Sequence, residues 1–485
     1  MRLMAKIVLQ TIVLSTLILV CSSCGSRRSA ERPGIITGDY LFDGLHFDAV
    51  FYTTVYEEDG KLFAFSEMTD YPVEMEKIKS DPPTYRIKFK SKGDFNLAFS
   101  DAEDGRYNTL SMKSNDSDFE MSGYRSFDEM LKLRDYHDRS RKSYSYKAPL
   151  QLNDGIETGG ILDAGIDTTA LYALMNDILE NYDYMHSLLV MKNGKLVVEE
   201  YFNGWDPVRL HRLQSVTKSY TSTLVGLAIE QGYIGSADDP IYTYLPRYDS
   251  LLTGTKREIN IEHLLTMSAG FEWNEGATYY AAPELCDAHL AGDSGDYIKY
   301  VLEKPLVEVP GRHFEYNSGF PNIMGHIVAK QSGMRILEFS FKHLFEPLCV
   351  KRAYWWSSSR ESEYRPSCAG GLRLTSRDMA KYGFLYLRGG VWNGKQVVDR
   401  DWVRESIEGK MDSGYGTRYG YFWKSTRSLD GKYGVFFASG TGGQYIACLP
   451  ELDAVVVTTA VFHTDKGDEV AMLLLKQLIP ALAGS

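Results

Sequence analysis

Apolar and polar positions alternate along the first quarter of the chain. Tyr85, Ile87 and Phe89 interleave with Arg86, Lys88 and Lys90, and beyond Gly93-Asp94 the alternation resumes at Phe95, Leu97 and Phe99. Two period-two runs about a Gly-containing turn predict a hairpin with one apolar face. Asp59-Gly60 and Asp104-Gly105 mark further turns. A small antiparallel β domain is therefore expected over residues 38–126. Residues 25–37 read as a tether. Residues 127–150 begin with a short helical stretch, turn polar and basic without periodicity, and read as a linker.

From 151 to 485 the periods mix. Two β runs, 187–190 and 195–201, flank Asn193-Gly194, a strong two-residue hairpin signal. A helical stretch over 215–231 stops at Gly232. Residues 433–438, 444–449 and 454–459 are strand-like, and a last helix over about 468–483 carries Val470, Leu473, Leu474, Leu478 and Ile479. Thr375 and Asp378 have the spacing of a helix cap. The expected fold class is α+β: an antiparallel sheet flanked by helices, preceded by a small all-β domain.

Composition narrows the class. Of 485 residues, 44% are hydrophobic and 24% charged, which suits folded domains rather than wholesale disorder. The net charge of −11 argues against a nucleic-acid partner, which would demand a basic face. No oligomeric state follows from the pattern. Arg2 and Lys6 precede an apolar run over 7–20 that is short for a spanning helix and suits an export signal. Ser22 and Ser23 before Cys24 resemble a bacterial lipoprotein cleavage site, with residues 1–24 as the signal region and Cys24 as the acylated residue. That would make the chain an exported lipoprotein held to a cell-envelope membrane. A plain secretory signal and an uncleaved anchor are the alternatives. Cys286, Cys349, Cys368 and Cys448 are scattered without a C-x-x-C pair, so free thiols are expected and no structural zinc site. His211, His263 and His313 lie in separate segments, so no metal and no cofactor is expected.

The sharpest chemistry is Ser215-Val216-Thr217-Lys218 at a helix start. Positions i and i+3 share a helix face. A serine hydroxyl needs a base to become a nucleophile, and burial can turn a lysine into one. Tyr316 follows Pro310-Gly311 on a predicted loop and can relay a proton if nearby cations lower its phenol pKa. Ser439-Gly440-Thr441-Gly442-Gly443 follows a strand and lets backbone approach a ligand; the N–H groups of Gly440 and Ser215 would form an oxyanion hole.

These segments in this order, with 211–222, 261–271 and 369–379, resemble the serine β-lactamase and DD-peptidase superfamily. The resemblance runs from about residue 150 onward and is nearest to class C β-lactamase-related hydrolases, including carboxylesterases and 6-aminohexanoate-dimer hydrolases. It implies Ser215 as the acylated nucleophile, Lys218 and Tyr316 as general base and acid, and Ser318, Ser439 and Thr441 as substrate contacts. Ser318 stands where the family's Tyr-x-Asn element has Asn. Phe437-Ala438-Ser439 stands where the family has Lys-Thr-Gly, so the cation that meets a substrate carboxylate is missing there. An ester or non-carboxylate amide, on a small molecule or peptide, is expected over a β-lactam. The alternative is a non-catalytic surface module that binds peptidoglycan peptides or a related ligand in the same cleft.

Overall fold

The computed structural model describes residues 36–44, 49–66, 72–89, 93–116, 120–126, 131, 133, 143–205, 207–276, 282–358, 365–414, 416–461 and 466–484. The expected export signal, Cys24 and most of the 127–150 segment lie outside them. No helix among the described residues is long and apolar enough to cross a membrane.

A nine-stranded sheet carries the expected elements of the hydrolase region. Met185–Lys192 and Lys195–Tyr201 form the hairpin about Asn193-Gly194, both at positive φ, as the turn demands. Ala454–Ala460, Gln444–Leu449, Gly434–Gly440 and Lys424–Arg427 follow across the sheet as antiparallel neighbours. One face is covered by Thr168–Asn181 and the C-terminal helices, the other by Ser376–Leu387 and Val216–Glu230. The fold is the expected α+β arrangement of an antiparallel sheet between helices.

The N-terminal region is strand-rich. Pro83–Phe89 and Gly93–Glu103 pair with Ile87 opposite Phe95, and the alternating Tyr85, Ile87, Phe95, Leu97 and Phe99 are buried together. Its sheet does not close on itself. Ala49–Glu58 pairs with Ala353–Trp355, through Val50 with Ala353 and Ala49 with Tyr354. Ala353–Trp355 pairs with Leu372–Leu374, and that strand with His211–Arg212, three residues before Ser215. One continuous backbone ladder therefore joins the N-terminal strands to the turn that presents the serine.

Two connecting segments pack more than their polarity suggested. Ile36, at the end of the expected tether, is buried in the N-terminal core. Tyr144, in the expected linker, is buried against Tyr172, and the Tyr146 hydroxyl donates to the Val197 carbonyl at 3.0 Å. Spaced tyrosines give an outwardly polar segment enough apolar area to dock.

Candidate active site

The chain enters the helix that starts at Ser215 through a tight turn. Gln214 holds φ of 50°, an uncommon and costly conformation for a residue with a side chain, immediately before Ser215. Ser215 then caps Val216–Glu230 without using its own side chain in the cap, which leaves the hydroxyl for other work. Among the described residues its backbone N–H has no hydrogen-bond partner, and it stands at a helix N-terminus, where negative charge is favoured.

Lys218 lies one turn on, as the spacing predicted. Its Nζ donates to Ser215 Oγ at 2.8 Å and to the Ala369 carbonyl at 3.0 Å. The side chain is almost fully buried, and burial pushes its pKa down to about 8 against an upward pull from Glu275. The 368–372 segment is strapped to the same helix: Thr221 Oγ1 donates to the Cys368 carbonyl at 2.9 Å, and Leu372 N–H donates to Thr217 Oγ1 at 3.3 Å.

Tyr316 stands on a loop just before the Gly319–Ser332 helix, with the Lys218 ammonium 4.8 Å from its ring centroid. Its phenol pKa is not lowered by this cation. Burial and the Glu275 carboxylate push its pKa above the ordinary value, and a hydrogen bond with Ser215 only partly opposes them. The tyrosine is thus held in its protonated form at neutral pH.

Gly440 ends the Gly434–Gly440 strand against the turn that leads into Ser215. A Cβ there would sit 2.4 Å from the Leu213 carbonyl oxygen and 3.1 Å from Ser215 N, so only glycine lets the two backbones meet. That is the approach an oxyanion pair requires. A cavity of about 630 Å³ opens here, lined by Ser215, Lys218, Tyr316, Ser318, Ser439, Gly440 and Thr441. Every catalytic and substrate-contact candidate from the sequence is in this one cleft.

Two residues were not foreseen. Glu275 is buried; its carboxylate accepts from Ser318 N–H at 2.8 Å, Ser318 Oγ at 2.5 Å and Trp273 Nε1 at 2.8 Å. Ser318, expected to contact the substrate, spends its hydroxyl donor on Glu275. Trp273 holds Glu275 in place. The second newcomer is Lys424, in the strand beside the altered Lys-Thr-Gly position, with its Nζ 6.0 Å from the Tyr316 ring centroid. Burial and repulsion from Lys218 lower its pKa to about 8. The cation missing from position 437 is supplied by a neighbouring strand, so its loss from that position does not empty the cleft of positive charge there. The signal was present: Asp430-Gly431 centres a hairpin, and counting six residues outward on each side pairs Lys424 with Phe437.

The histidines fall elsewhere. His211 shares a 2.8 Å hydrogen bond with His186, His263 closes a capping box with Asn260, and His313 is exposed. Among the described residues no group of three or more His, Cys, Asp or Glu side chains could hold a metal ion. Cys286, Cys368 and Cys448 are buried free thiols and Cys349 an exposed one.

A serine with a lysine on its helix, a tyrosine and a strand-end glycine in one cleft, on this sheet, defines a serine hydrolase of the β-lactamase type. The Beta-lactamase family model matches residues 184–478, and the chain belongs to that family. A 6-aminohexanoate-dimer hydrolase of Paenarthrobacter ureafaciens is 26% identical over 286 residues, covering 56% of this chain and 71% of that protein. Among solved structures, EstCE1, described as a hydrolase with promiscuous acyltransferase activity, superposes with a TM-score of 0.53 at 15% identity, over 67% of this chain and all of that one. A class C β-lactamase of Rhodobacter sphaeroides gives 0.50 at 19% identity, over 65% of this chain and all of that one. At these identities the two structures speak for the fold.

Proposed function

We propose that the protein is a membrane-anchored serine hydrolase that cleaves an ester or amide through an acyl-enzyme on Ser215. The observation that carries this is the 2.8 Å contact between Lys218 Nζ and Ser215 Oγ at the helix start. A lysine with a pKa of about 8 is neutral in roughly a tenth of molecules at pH 7, enough to serve as a base. Lys218 takes the Ser215 proton as Oγ bonds to the carbonyl carbon. The carbonyl electron pair moves onto oxygen, which the N–H groups of Ser215 and Gly440 receive. When that pair returns, the bond to the leaving oxygen or nitrogen breaks. Tyr316 gives its phenolic proton to the leaving group and is reprotonated from Lys218. Water then attacks the acyl carbon with Lys218 as base, and acid and free Ser215 are released. Ser439 and Thr441 contact the substrate, and Ser318 acts through Glu275.

The relatives named for hydrolysis of a dimer and for acyl transfer fit this chemistry. Fluorophosphonate labelling followed by peptide mass analysis tests it, beside turnover of p-nitrophenyl esters, D-alanyl peptides and nitrocefin. An adduct on Ser215 and turnover lost in Ser215→Ala and Lys218→Ala are expected. An adduct at another serine, or none, would overturn the reading in favour of a non-catalytic binding module. Attachment rests on Cys24: the full chain should partition with membranes and Cys24→Ala should release it. Equal partitioning of both chains would remove lipidation from the proposal.

A further inference from the structure

Resting on that reading, we infer that Lys424 is a specificity residue that receives a carboxylate on the acyl part of the substrate, so the preferred substrates are anionic esters or amides. Lys424 lies directly opposite Phe437, and residues paired across antiparallel strands project from the same sheet face. Ser439, two residues on, shares that face. Lys424 therefore lines the cleft with Ser439 and Thr441, its ammonium 6.0 Å from the Tyr316 ring centroid, where that of Lys218 is 4.8 Å away. The strand is pinned there, because Ser219 Oγ on the nucleophile helix donates to the Phe422 carbonyl at 2.6 Å.

The ammonium makes no hydrogen bond or ion pair with any described residue. Among the described residues, the charges that act on it are repulsive Lys218 and attractive Asp468 at the cleft wall. Two ammonium groups drawn out of water beside each other cost free energy, which an incoming anion offsets. The wall agrees in sign: Arg212, Lys218, Arg365 and Lys424 face Glu275 and Asp468, so a chain of net charge −11 surrounds its cleft with more cations than carboxylates. A carboxylate on the acyl chain pairs with Lys424 while the ester carbonyl sits over Ser215.

The test compares p-nitrophenyl butyrate with mono-p-nitrophenyl glutarate, acyl chains of similar length with and without a terminal carboxylate. The purified chain should favour the glutarate in kcat/KM. A charge-assisted bond of ordinary strength makes that preference about tenfold to a hundredfold. In Lys424→Met the ratio should collapse toward one, and Lys424→Arg should restore part of it. High salt should shrink the ratio in the unaltered chain and leave Lys424→Met unmoved. Fluorophosphonate labelling of Ser215 in each variant certifies a folded site. A ratio unchanged by Lys424→Met, with Ser215 still labelled, overturns this inference and leaves the hydrolase reading standing. Loss on both esters in proportion, with a shifted pH profile, overturns it in favour of proton tuning. If neither ester turns over and Ser215 takes no label, the hydrolase reading fails. Calorimetric titration of Ser215→Ala with the glutarate then decides the carboxylate site separately: binding must disappear in Ser215→Ala/Lys424→Met, and absence of binding in Ser215→Ala itself rejects it.

Discussion

The buried charges around Arg377 and those around Lys218 are held in different ways. Arg377 has no exposed side-chain surface, and Glu199, its bidentate partner, has none either. Arg377 also donates to Asp154 at 2.9 Å and to the Leu150 carbonyl at 2.7 Å, and the Tyr201 hydroxyl donates to Glu199 at 3.0 Å. Burial alone would favour loss of the proton; Glu199 and Asp154 outweigh it and hold the guanidinium firmly charged. Lys218 is as deeply placed, yet its donors meet a hydroxyl and a carbonyl rather than a carboxylate, and its pKa falls. Saturated charge fastens the 150 segment, the Lys195–Tyr201 strand and the Ser376–Leu387 helix together. In the proposed mechanism, undersatisfied charge is kept where a proton must move.

The largest expected contrast comes from removing each cation. Lys218→Met should lower kcat/KM on p-nitrophenyl esters by about 10⁴-fold, the upper range for a lost general base. Its melting temperature should hold or rise, since an ammonium without a carboxylate partner is a burden to the fold. Linkage gives a second readout. Lys218 has a folded pKa of about 8, below the ordinary lysine value, so the unfolded chain binds more protons between there and about 10.5. Stability gains from this group as pH rises through that window, and Lys218→Met should flatten the slope in denaturant titrations at stepped pH. Arg377→Met should do the reverse: a loss of about 3–5 kcal/mol, because Glu199 is left buried and uncompensated. The fraction that remains folded should keep its kcat. A stable Arg377→Met chain would break the distinction drawn between the clusters.

Next in size is a shift rather than a loss. Glu275 raises the pKa of Lys218. Glu275→Gln keeps the shape and removes the charge, so the rising limb of kcat/KM against pH, centred near 8 in the unaltered chain, should move to lower pH. A limb that stays in place would mean that Glu275 acts only by positioning Ser318 and Trp273.

The contrast also explains what was legible in the chain beforehand. Ser215 and Lys218 are three apart, Asn193-Gly194 is a two-residue turn, and Thr375 caps a helix; each is settled within one turn of backbone. The Gly440 approach was legible because only glycine tolerates it. Lys424 and Glu275 reach the cleft by strand register and by a hydrogen bond from Ser318, which is 43 residues from Glu275 in the chain. Lys424-Ser425-Thr426-Arg427 reads as an outward-facing polar strand until its pairing is known. The shared sheet was hidden for the same reason: Val50 and Ala353 show no local sign that they pair.

The smallest expected effect tests whether the Arg377 cluster depends on its helix start. Thr375 Oγ1 accepts the Asp378 N–H at 3.2 Å and donates to Asp378 Oδ2 at 2.7 Å, while Asp378 pairs with Lys381 at 2.9 Å. Thr375→Ala removes one cap and leaves the four Arg377 hydrogen bonds intact, so about 1 kcal/mol should be lost in guanidinium unfolding. Thr375→Ser should recover most of it, since the hydroxyl makes the cap. Esterase kcat/KM should stay level in both, because the cap touches neither Ser215 nor Lys218. A loss as large as that of Arg377→Met would mean that the cap and the buried arginine form one cooperative unit, with the helix start setting the guanidinium's position among its carboxylates.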